Sequence, residues 1–283
     1  LEFMNGKKIL VAIPTYKEAQ NIIELIRQIK KNTPNIDILI INDKSEDKTL
    51  ELINDLNDKR IKIIERPKKN GLGSAHVMSI IYSIKFNYNI LITMDADFSH
   101  DPIYIPKIIE KADINNFVIG SRFVEGGKNN YTGFRKFLSF TANLVSKKIL
   151  GIRLNEFTTY LRAYDVESLK KLPFNKLTAK GYSLGVKIIW LLNKMNISLI
   201  EVPIVMGNRN LGKSKIPKSQ IFVSVFDLIV MKLNDLLSIK NINKSKISYK
   251  IDYKCNECSN DLMIYYNKNS YKCLNCNILN EIN

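Results

Sequence analysis

No stretch of this chain approaches the roughly 20 consecutive apolar residues of a membrane-spanning helix. The apolar run Ile9 to Ile13 ends at once in Pro14, so the chain is expected to be soluble or peripheral to a membrane. Cysteine is absent until Cys255, and the four present, Cys255, Cys258, Cys273 and Cys276, crowd near the C-terminal end. No signal-peptide pattern is visible, and secretory disulfides are not expected. Histidine is scarcer still, with His76 and His100 alone. His76, inside a helical pattern, reads as a packing residue, and His100 as a partner that orients a neighbouring carboxylate. Acid is short relative to base: 27 Asp and Glu stand against 43 Lys and Arg, a net charge of +16. Such a surplus favours polyanions, whether nucleic acid, anionic headgroups or phosphorylated substrates. The whole chain is biased toward Lys, Asn and Ile, so part of the surplus reads as a solvated lysine coat.

What is present reads as one large domain with an appendage. The 283 residues, 45% of them hydrophobic, suffice for a sizeable core. Ile9 to Ile13, Ile36 to Ile41, Ile61 to Ile64, Asn89 to Met94 and Phe117 to Gly120 read as buried strands. Between them, Glu18 to Lys31, Glu46 to Asn57, Gly73 to Phe86 and Pro102 to Lys111 carry apolar residues at helical spacing. This alternation predicts βαβ units around a mostly parallel sheet. Thr132 to Leu150 and Tyr182 to Lys194 then read as helices, Ser198 to Pro203 as a strand and Pro217 to Ile239 as a long, largely apolar helix. No internal repeat is visible.

Ligands of parallel sheets sit beyond the carboxyl ends of the strands, and the polar clusters of this chain obey that rule. PTYKE (Pro14 to Glu18), NDKSED (Asn42 to Asp47), DAD (Asp95 to Asp97) and GSRF (Gly120 to Phe123) each follow an expected strand. Asp95 and Asp97 repel each other, and together offer hard oxygen ligands to a cation such as Mg2+ or Mn2+ that carries a diphosphate. The plainer alternative is that Asp97 or Ser99 caps the helix beginning near Pro102. RPKKNGLGSA (Arg66 to Ala75) puts two glycines at a helix entrance behind Arg66 and Lys69, where backbone N–H groups and the helix dipole favour phosphate. It lacks the P-loop signature and is also readable as a simple helix-entry turn.

IPTYKEAQNI, INDKSEDKT, RPKKNGLGSA, MDADFSHDP, GSRFVEGG and GNRNLGKSKI occur in an order and spacing that resembles the dolichyl-phosphate mannose synthase-like inverting glycosyltransferases, from about Lys8 to Ile216. The resemblance implies an α/β fold of the GT-A, Rossmann-like nucleotide-sugar-binding type, a GDP- or UDP-type sugar donor and a polyprenyl-phosphate acceptor. Pro14, Tyr16 and Glu18 resemble the positions that hold the nucleoside, with Lys69 and Asp95 on the same nucleotide-sugar side. Asp43 resembles the second acid of a DD pair whose first member is Asn42 here. Asp95, Asp97 and Ser99 match the metal and diphosphate site. Arg122, Arg135 and Ser139 fall where the family binds acceptor phosphate, and Arg209 with Lys215 in a loop that closes over the site. Asp97, Arg122, Arg135 and Arg209 are thereby the candidate catalytic residues. Two segments depart from the pattern. In NEFTTYLRAY (Asn155 to Tyr164), Glu156 replaces an Asp, Thr159 a Ser and Tyr160 a Gly, while Thr158 and Arg162 are kept. In GYSLGVKI (Gly181 to Ile188), Gly185 and Lys187 stand in place of Gln and Glu. Mannose is therefore not assumed, and the sugar is expected to be a hexose of mannose or glucose type.

The acceptor sets the chemistry. A phosphate monoester is already largely anionic at neutral pH, so transfer to it asks for a divalent cation and an arginine clamp rather than a histidine base. A soluble glycan or a protein hydroxyl would instead need a carboxylate base, for which Glu156 is the candidate. Lipid access implies a cytoplasmic protein lying on the membrane face. Within the 217–240 segment Phe222, Val225, Phe226, Ile229 and Leu233 share a helical face near Lys213, Lys215 and Lys218, which suits either an interfacial helix or a core or dimer contact.

The expected organisation is a glycosyltransferase domain over 4–216, that helix, a linker over 241–252 and a ribbon over 253–283. Leu1 to Phe3, before Met4, read as an appended remnant. CNEC and CLNC, fourteen residues apart, fit a four-cysteine zinc site of Cys255, Cys258, Cys273 and Cys276. So short a ribbon needs the zinc for stability. It reads as a scaffold for a protein partner or homo-oligomer, while a basic zinc-ribbon protein that binds nucleic acid is a third reading.

Overall fold

The computed structural model describes residues 6–174, 177, 182–207, 226–233, 263–267, 270–273 and 279–281. The chain begins with β1 (Ile9–Thr15), α1 (Ile22–Asn32), β2 (Asp37–Asn42), α2 (Thr49–Asn54), β3 (Ile61–Glu65), α3 (Leu72–Lys85) and β4 (Ile90–Thr93). A 3-10 turn (Pro102–Tyr104) then leads into α4 (Ile105–Lys111), β5 (Asn116–Ser121), β6 (Lys128–Asn129) and α5 (Gly133–Leu150). β7 (Arg162–Asp165), α6 (Val166–Leu169), α7 (Tyr182–Lys194), β8 (Ser198–Pro203) and β9 (Val205–Met206) complete the large unit.

Seven strands form one sheet in the order β3-β2-β1-β4-β7-β5-β8. All neighbours are parallel except β7, which runs antiparallel to both β4 and β5. The parallel half follows from the sequence: β1, β2 and β4 are near-continuous apolar runs, as strands covered on both faces must be. Alternation divides their side chains between two cores. Leu10, Ala12, Leu39 and Ile41 join α3 and α7 on one face, while Val11, Ile13, Ile38 and Ile40 join α1 and α4 on the other. In α1, Ile22, Leu25, Ile26 and Ile29 recur at the spacing that turns one stripe inward.

Three helices are shorter than their periodicity suggests, each for a local reason. α1 starts at Ile22 because the Glu18 carbonyl accepts N–H bonds from Asn21 and Ile22, closing a turn ahead of it. α2 is confined to Thr49–Asn54, with the Asp47 carboxylate accepting Thr49 N–H at its start and Asn57 left-handed (φ 44) after its end. In the 102–111 segment Pro106 has no N–H to donate, and the first turn stays 3-10.

β10 (Met263–Asn267), β11 (Ser270–Cys273) and β12 (Leu279–Glu281) form an antiparallel three-stranded meander. Cys273, buried, ends β11. Cys255, Cys258 and Cys276 lie outside the described residues, as do Arg209, Lys213, Lys215 and Lys218. Of the expected 217–240 helix, residues 226–233 are described and helical.

Candidate functional site

The chain runs outward through β2 and β3 and then returns to place β4 on the other side of β1. That reversal opens a crevice beyond the carboxyl ends of β1 and β4. Pro14 and Tyr16 stand at the exit of β1, Asp43 at the exit of β2, and Asp95 and Asp97 just past β4. Lys17 (φ 57) and Lys44 (φ 48) are left-handed, so the chain turns sharply at both exits.

At the exit of β1, Tyr16 is half-buried, with the Lys69 ammonium 3.8 Å from its ring centroid. Lys69 is exposed, as a phosphate or base ligand would need to be. Arg66, grouped with it in the sequence, does something different. It is buried, pairs with Asp43 and donates to Ser74 Oγ (2.6 Å) and the Gly71 carbonyl (3.1 Å). Asp43 Oδ2 in turn accepts the Gly71 N–H at 2.9 Å. Gly71 (φ 85) takes a backbone conformation that L side chains rarely adopt. Arg66 and Asp43 together therefore pin the entrance of α3 beneath the crevice. Burial lowers the Arg66 pKa and the Asp43 carboxylate opposes that shift.

The carboxylate pair sits on a tight turn. Asp97 Oδ1 accepts the Ser99 N–H at 3.0 Å, and Phe98 between them is left-handed (φ 60), an uncommon state for a bulky residue. Neither Asp97 nor Ser99 caps the following turn. That cap is Asp101, whose side chain accepts Ile103 N–H at 2.9 Å. Both carboxylates remain partly accessible, whereas Ser99 is buried. His100, fully buried, accepts the Asp95 N–H on Nδ1 at 3.2 Å. Burial, against the opposing pull of Asp97, drives its pKa down to about 4, so it is neutral at pH 7 and brings the aspartates no counter-charge. Two accessible carboxylates beside a neutral imidazole are a donor set for a hard divalent cation.

Across the crevice, Arg122 follows β5 and donates from Nε (2.7 Å) and Nη2 (2.8 Å) to Glu156, with Thr158 Oγ1 at 2.6 Å. Both members of the pair are buried. Burial alone would raise the Glu156 carboxyl pKa. Arg122 and the Thr158 hydrogen bonds reverse the effect and hold it below the ordinary carboxylate range. Glu201 fixes the backbone below by accepting N–H bonds from Asn155 and Glu156, both at 3.0 Å. Asn143 of α5 receives the Phe157 N–H at 2.6 Å. Arg135 and Ser139 lie on the first two turns of α5, Arg135 exposed and Ser139 half-buried with no hydroxyl partner among the described residues. Tyr131, which the sequence did not single out, packs between Arg122 and Arg135.

A buried polar layer underlies the whole site. The Tyr160 ring stacks on His76 (centroids 4.0 Å apart), and Arg162 donates to the carbonyls of Thr159, Phe157 and Gly185. His76 is thus a packing residue, as its helical position suggested. Burial, followed by Arg162, Arg66 and His100, pushes its pKa well down. β6 pairs with β9 in parallel, bringing the strand before Gly207 alongside the GSRF loop. Of the expected loop residues, Arg209 and Lys215 lie outside the described residues.

The sequence profile of glycosyl transferase family 2 matches residues 10–173. The chain belongs to this family. The family 2 glycosyltransferase described here is 33% identical over 225 residues to the polyprenol monophosphomannose synthase of Mycolicibacterium smegmatis, covering 78% of this chain and 85% of that protein. It is 31% identical to the undecaprenyl-phosphate mannosyltransferase of Micrococcus luteus, covering 74% and 87% of the two chains. With the dolichol-phosphate mannosyltransferase of Pyrococcus furiosus it shares 33% identity over 76% of this chain but only 61% of that longer protein. Among solved structures, glucosyl-3-phosphoglycerate synthase from Mycobacterium tuberculosis, in complex with Mn2+, UDP and phosphoglyceric acid, superposes with a TM-score of 0.60. The identity there is 16% over 85% of this chain and 82% of that one, a likeness of fold: α/β, GT-A-like, with a mixed and mostly parallel sheet.

Proposed function

We propose that this glycosyltransferase moves a hexose, of mannose or glucose type, from a GDP- or UDP-linked donor to a polyprenyl phosphate with inversion at the anomeric carbon. An acceptor phosphate oxygen attacks that carbon, the new C–O bond forms, and the bond to the donor β-phosphate oxygen breaks with departure of the nucleoside diphosphate. Asp95 and Asp97 would hold Mg2+ or Mn2+, which when bound supplies Lewis-acid stabilisation of the departing diphosphate. Tyr16, Glu18 and Lys69 are assigned to the nucleoside, and Arg135 with Arg122 and Ser139 to the acceptor phosphate, as are Arg209 and Lys215 from the sequence alone. The observation that carries the reading is the Asp95 and Asp97 turn at the crevice between β1 and β4, opposite an arginine-bearing wall. The names of the relatives, all polyprenyl-phosphate mannose transferases, support the acceptor class. Glu156, locked to Arg122, argues against a hydroxyl acceptor that needs a base.

No helix among the described residues is long and apolar enough to cross a membrane, and we propose that the lipid is met at a surface. α5 supplies a docking face. Phe134 (62% exposed), Phe137 (63%), Phe140 (54%) and Leu144 (39%) point outward, within an arc of about 120° at 100° per residue. Exposed Arg135, Lys136, Lys147 and Lys148 flank them and suit anionic headgroups on the cytoplasmic face. Residues 226–233 add Phe226, Ile229 and Leu233, all exposed, while Leu228 anchors that helix in the core. A zinc held by Cys255, Cys258, Cys273 and Cys276 is proposed for the ribbon from the sequence spacing, with the buried Cys273 on an antiparallel strand in its favour. The ribbon would then scaffold a protein partner or a homo-oligomer.

The test is transfer of radiolabelled sugar from a panel of nucleotide sugars into organic-extractable product, with polyprenyl phosphate and free polyprenol as competing acceptors. Label should enter the phosphate lipid alone, with added Mn2+ or Mg2+, and Asp97→Ala should abolish transfer while thermal unfolding stays cooperative. Normal turnover by Asp97→Ala with metal chelated would reject the assignment.

A further inference from the structure

Arg135 stands in the first turn of α5, where the positive end of the helix dipole disfavours a cation. It is exposed, and a long unrestrained side chain in water samples many rotamers. A fixed phosphate ligand needs something to hold it. Its guanidinium carbon lies 3.7 Å from the centroid of the Tyr131 ring, a close cation–π contact. Tyr131 is itself only 7% exposed, and Asn129 Oδ1 accepts its backbone N–H at 3.2 Å. Asn129 belongs to β6, hydrogen-bonded to β9, so the platform is tied to the sheet edge and not to a free loop. The hydroxyl end of the ring lies near Ser99 and Asp97, both of which act on its ionisation. Ser99 donates its N–H to Asp97.

We infer that Tyr131 is a positioning residue that couples the two halves of the reaction. Its ring face orients Arg135 toward the acceptor phosphate, and its hydroxyl end abuts the turn carrying Asp97. The distance between acceptor cation and donor-side carboxylate is thereby set by one rigid aromatic side chain with two torsions. The inference rests on the reading of Arg135 as an acceptor-phosphate ligand.

The experiment is steady-state kinetics of the full chain with the lipid phosphate varied at saturating donor and Mn2+, beside thermal unfolding. Arg135→Ala is the reference and should raise the acceptor KM. Tyr131→Leu removes the ring face and the hydroxyl and should raise that KM about five- to thirtyfold, with donor KM unchanged. Tyr131→Trp restores a π face and should return the acceptor KM to within about threefold of the parent. Tyr131→Phe keeps the face but loses the hydroxyl beside the Asp97 turn; its acceptor KM should hold while the Mn2+ concentration for half-activation rises about two- to fivefold. If Tyr131→Leu does not fold, Tyr131→Met, which fills the space without a π face, makes the same comparison. A purely structural tyrosine would lower the unfolding temperature and the active fraction and leave both constants in place, which overturns the inference. An Arg135→Ala effect with none from Tyr131→Leu or Met overturns it alone. An unchanged acceptor KM in Arg135→Ala overturns the site reading and the inference together.

Discussion

Replacing Glu156 with glutamine separates two chemistries that share one carboxylate. In the folded chain Glu156 is fully buried, and its oxygens accept Arg122 Nε and Nη2, the Thr158 N–H at 2.9 Å, the Thr158 hydroxyl at 2.8 Å and the Thr159 N–H at 3.2 Å. Every neighbour in that set presents a hydrogen. A glutamine of nearly the same volume must therefore aim its NH2 at another donor and leaves the Arg122 charge uncompensated. Removing one partner of a buried pair costs about 3–5 kcal/mol, and glutamine retains one good acceptor, which points to about 3 kcal/mol. With a urea m-value of about 2 kcal/mol per molar, the unfolding midpoint should fall by about 1.5 M. Arg122→Met with Glu156→Leu removes both charges together and should recover most of that loss.

Activity then decides the role. As a clamp, Glu156 acts through Arg122, so Glu156→Gln should raise the acceptor KM and leave turnover per folded molecule within about tenfold. As a general base, it would lose about 10²- to 10⁴-fold in kcat. A carboxyl held below the ordinary range by Arg122 is also poorly matched to base catalysis near neutral pH. A Glu156→Gln protein as stable as the parent but without turnover would refute the clamp and favour a hydroxyl acceptor.

His76 stays neutral in the fold because burial holds its pKa well below 6.5. The unfolded chain binds a proton there that the native state does not, so stability falls as pH drops below 6.5, approaching about 1.4 kcal/mol per pH unit from this residue. Urea midpoints between pH 7 and 5 should show that slope, and His76→Phe, which keeps a ring against Tyr160, should remove its share. Phe134→Ser, Phe137→Ser and Phe140→Ser combined should weaken sedimentation with anionic vesicles at least tenfold, given on the order of 2 kcal/mol for each buried phenylalanine. Transfer to a short, water-soluble polyprenyl phosphate should persist. Gly185→Ala would set its Cβ 2.9 Å from both terminal nitrogens of Arg162 and 3.0 Å from the Tyr160 hydroxyl. Three backbone carbonyls pin Arg162, so the unfolding temperature should drop by the equivalent of about 1–3 kcal/mol. Gly185→Gln with Tyr160→Gly should be more stable than Gly185→Gln alone.

The parallel half of the sheet was legible because each of its strands is an apolar run that ends in a polar cluster. One strand was not. β7 is four residues, Arg162–Asp165, two of them charged and all buried, and no hydrophobic period exists in RAYD. It enters antiparallel between β4 and β5, so the interior of the sheet is mixed. Of the site, Asp95 and Asp97 were legible from spacing, and the structure brings them to the crevice with Tyr16 and Lys69. Arg66 was misread by its neighbours: a basic residue before glycines suggests phosphate, yet its guanidinium is turned inward onto Asp43. Asn143 and Glu201 gave no local signal, because their partners are 14 and 45 to 46 positions distant, and Tyr131 gave none because it precedes α5, where its closeness to Arg135 follows no helical spacing.

The departures at 156–160 and at 185, which the sequence presents as separate losses of pattern, are joined in space. Tyr160 puts a ring where the resembled family has no side chain, and Gly185 removes a side chain where that family has a long one. The Tyr160 hydroxyl lies where a Cβ at Gly185 would be, so the volume has crossed from α7 to the loop before β7. The exchange is not neutral in chemistry. A flexible amide in the resembled family is replaced by a buried ring fixed on one side by His76 and on the other by Arg162. The floor of the site thereby becomes rigid and loses a polar arm. The donor preference of the relatives therefore does not transfer on sequence identity alone.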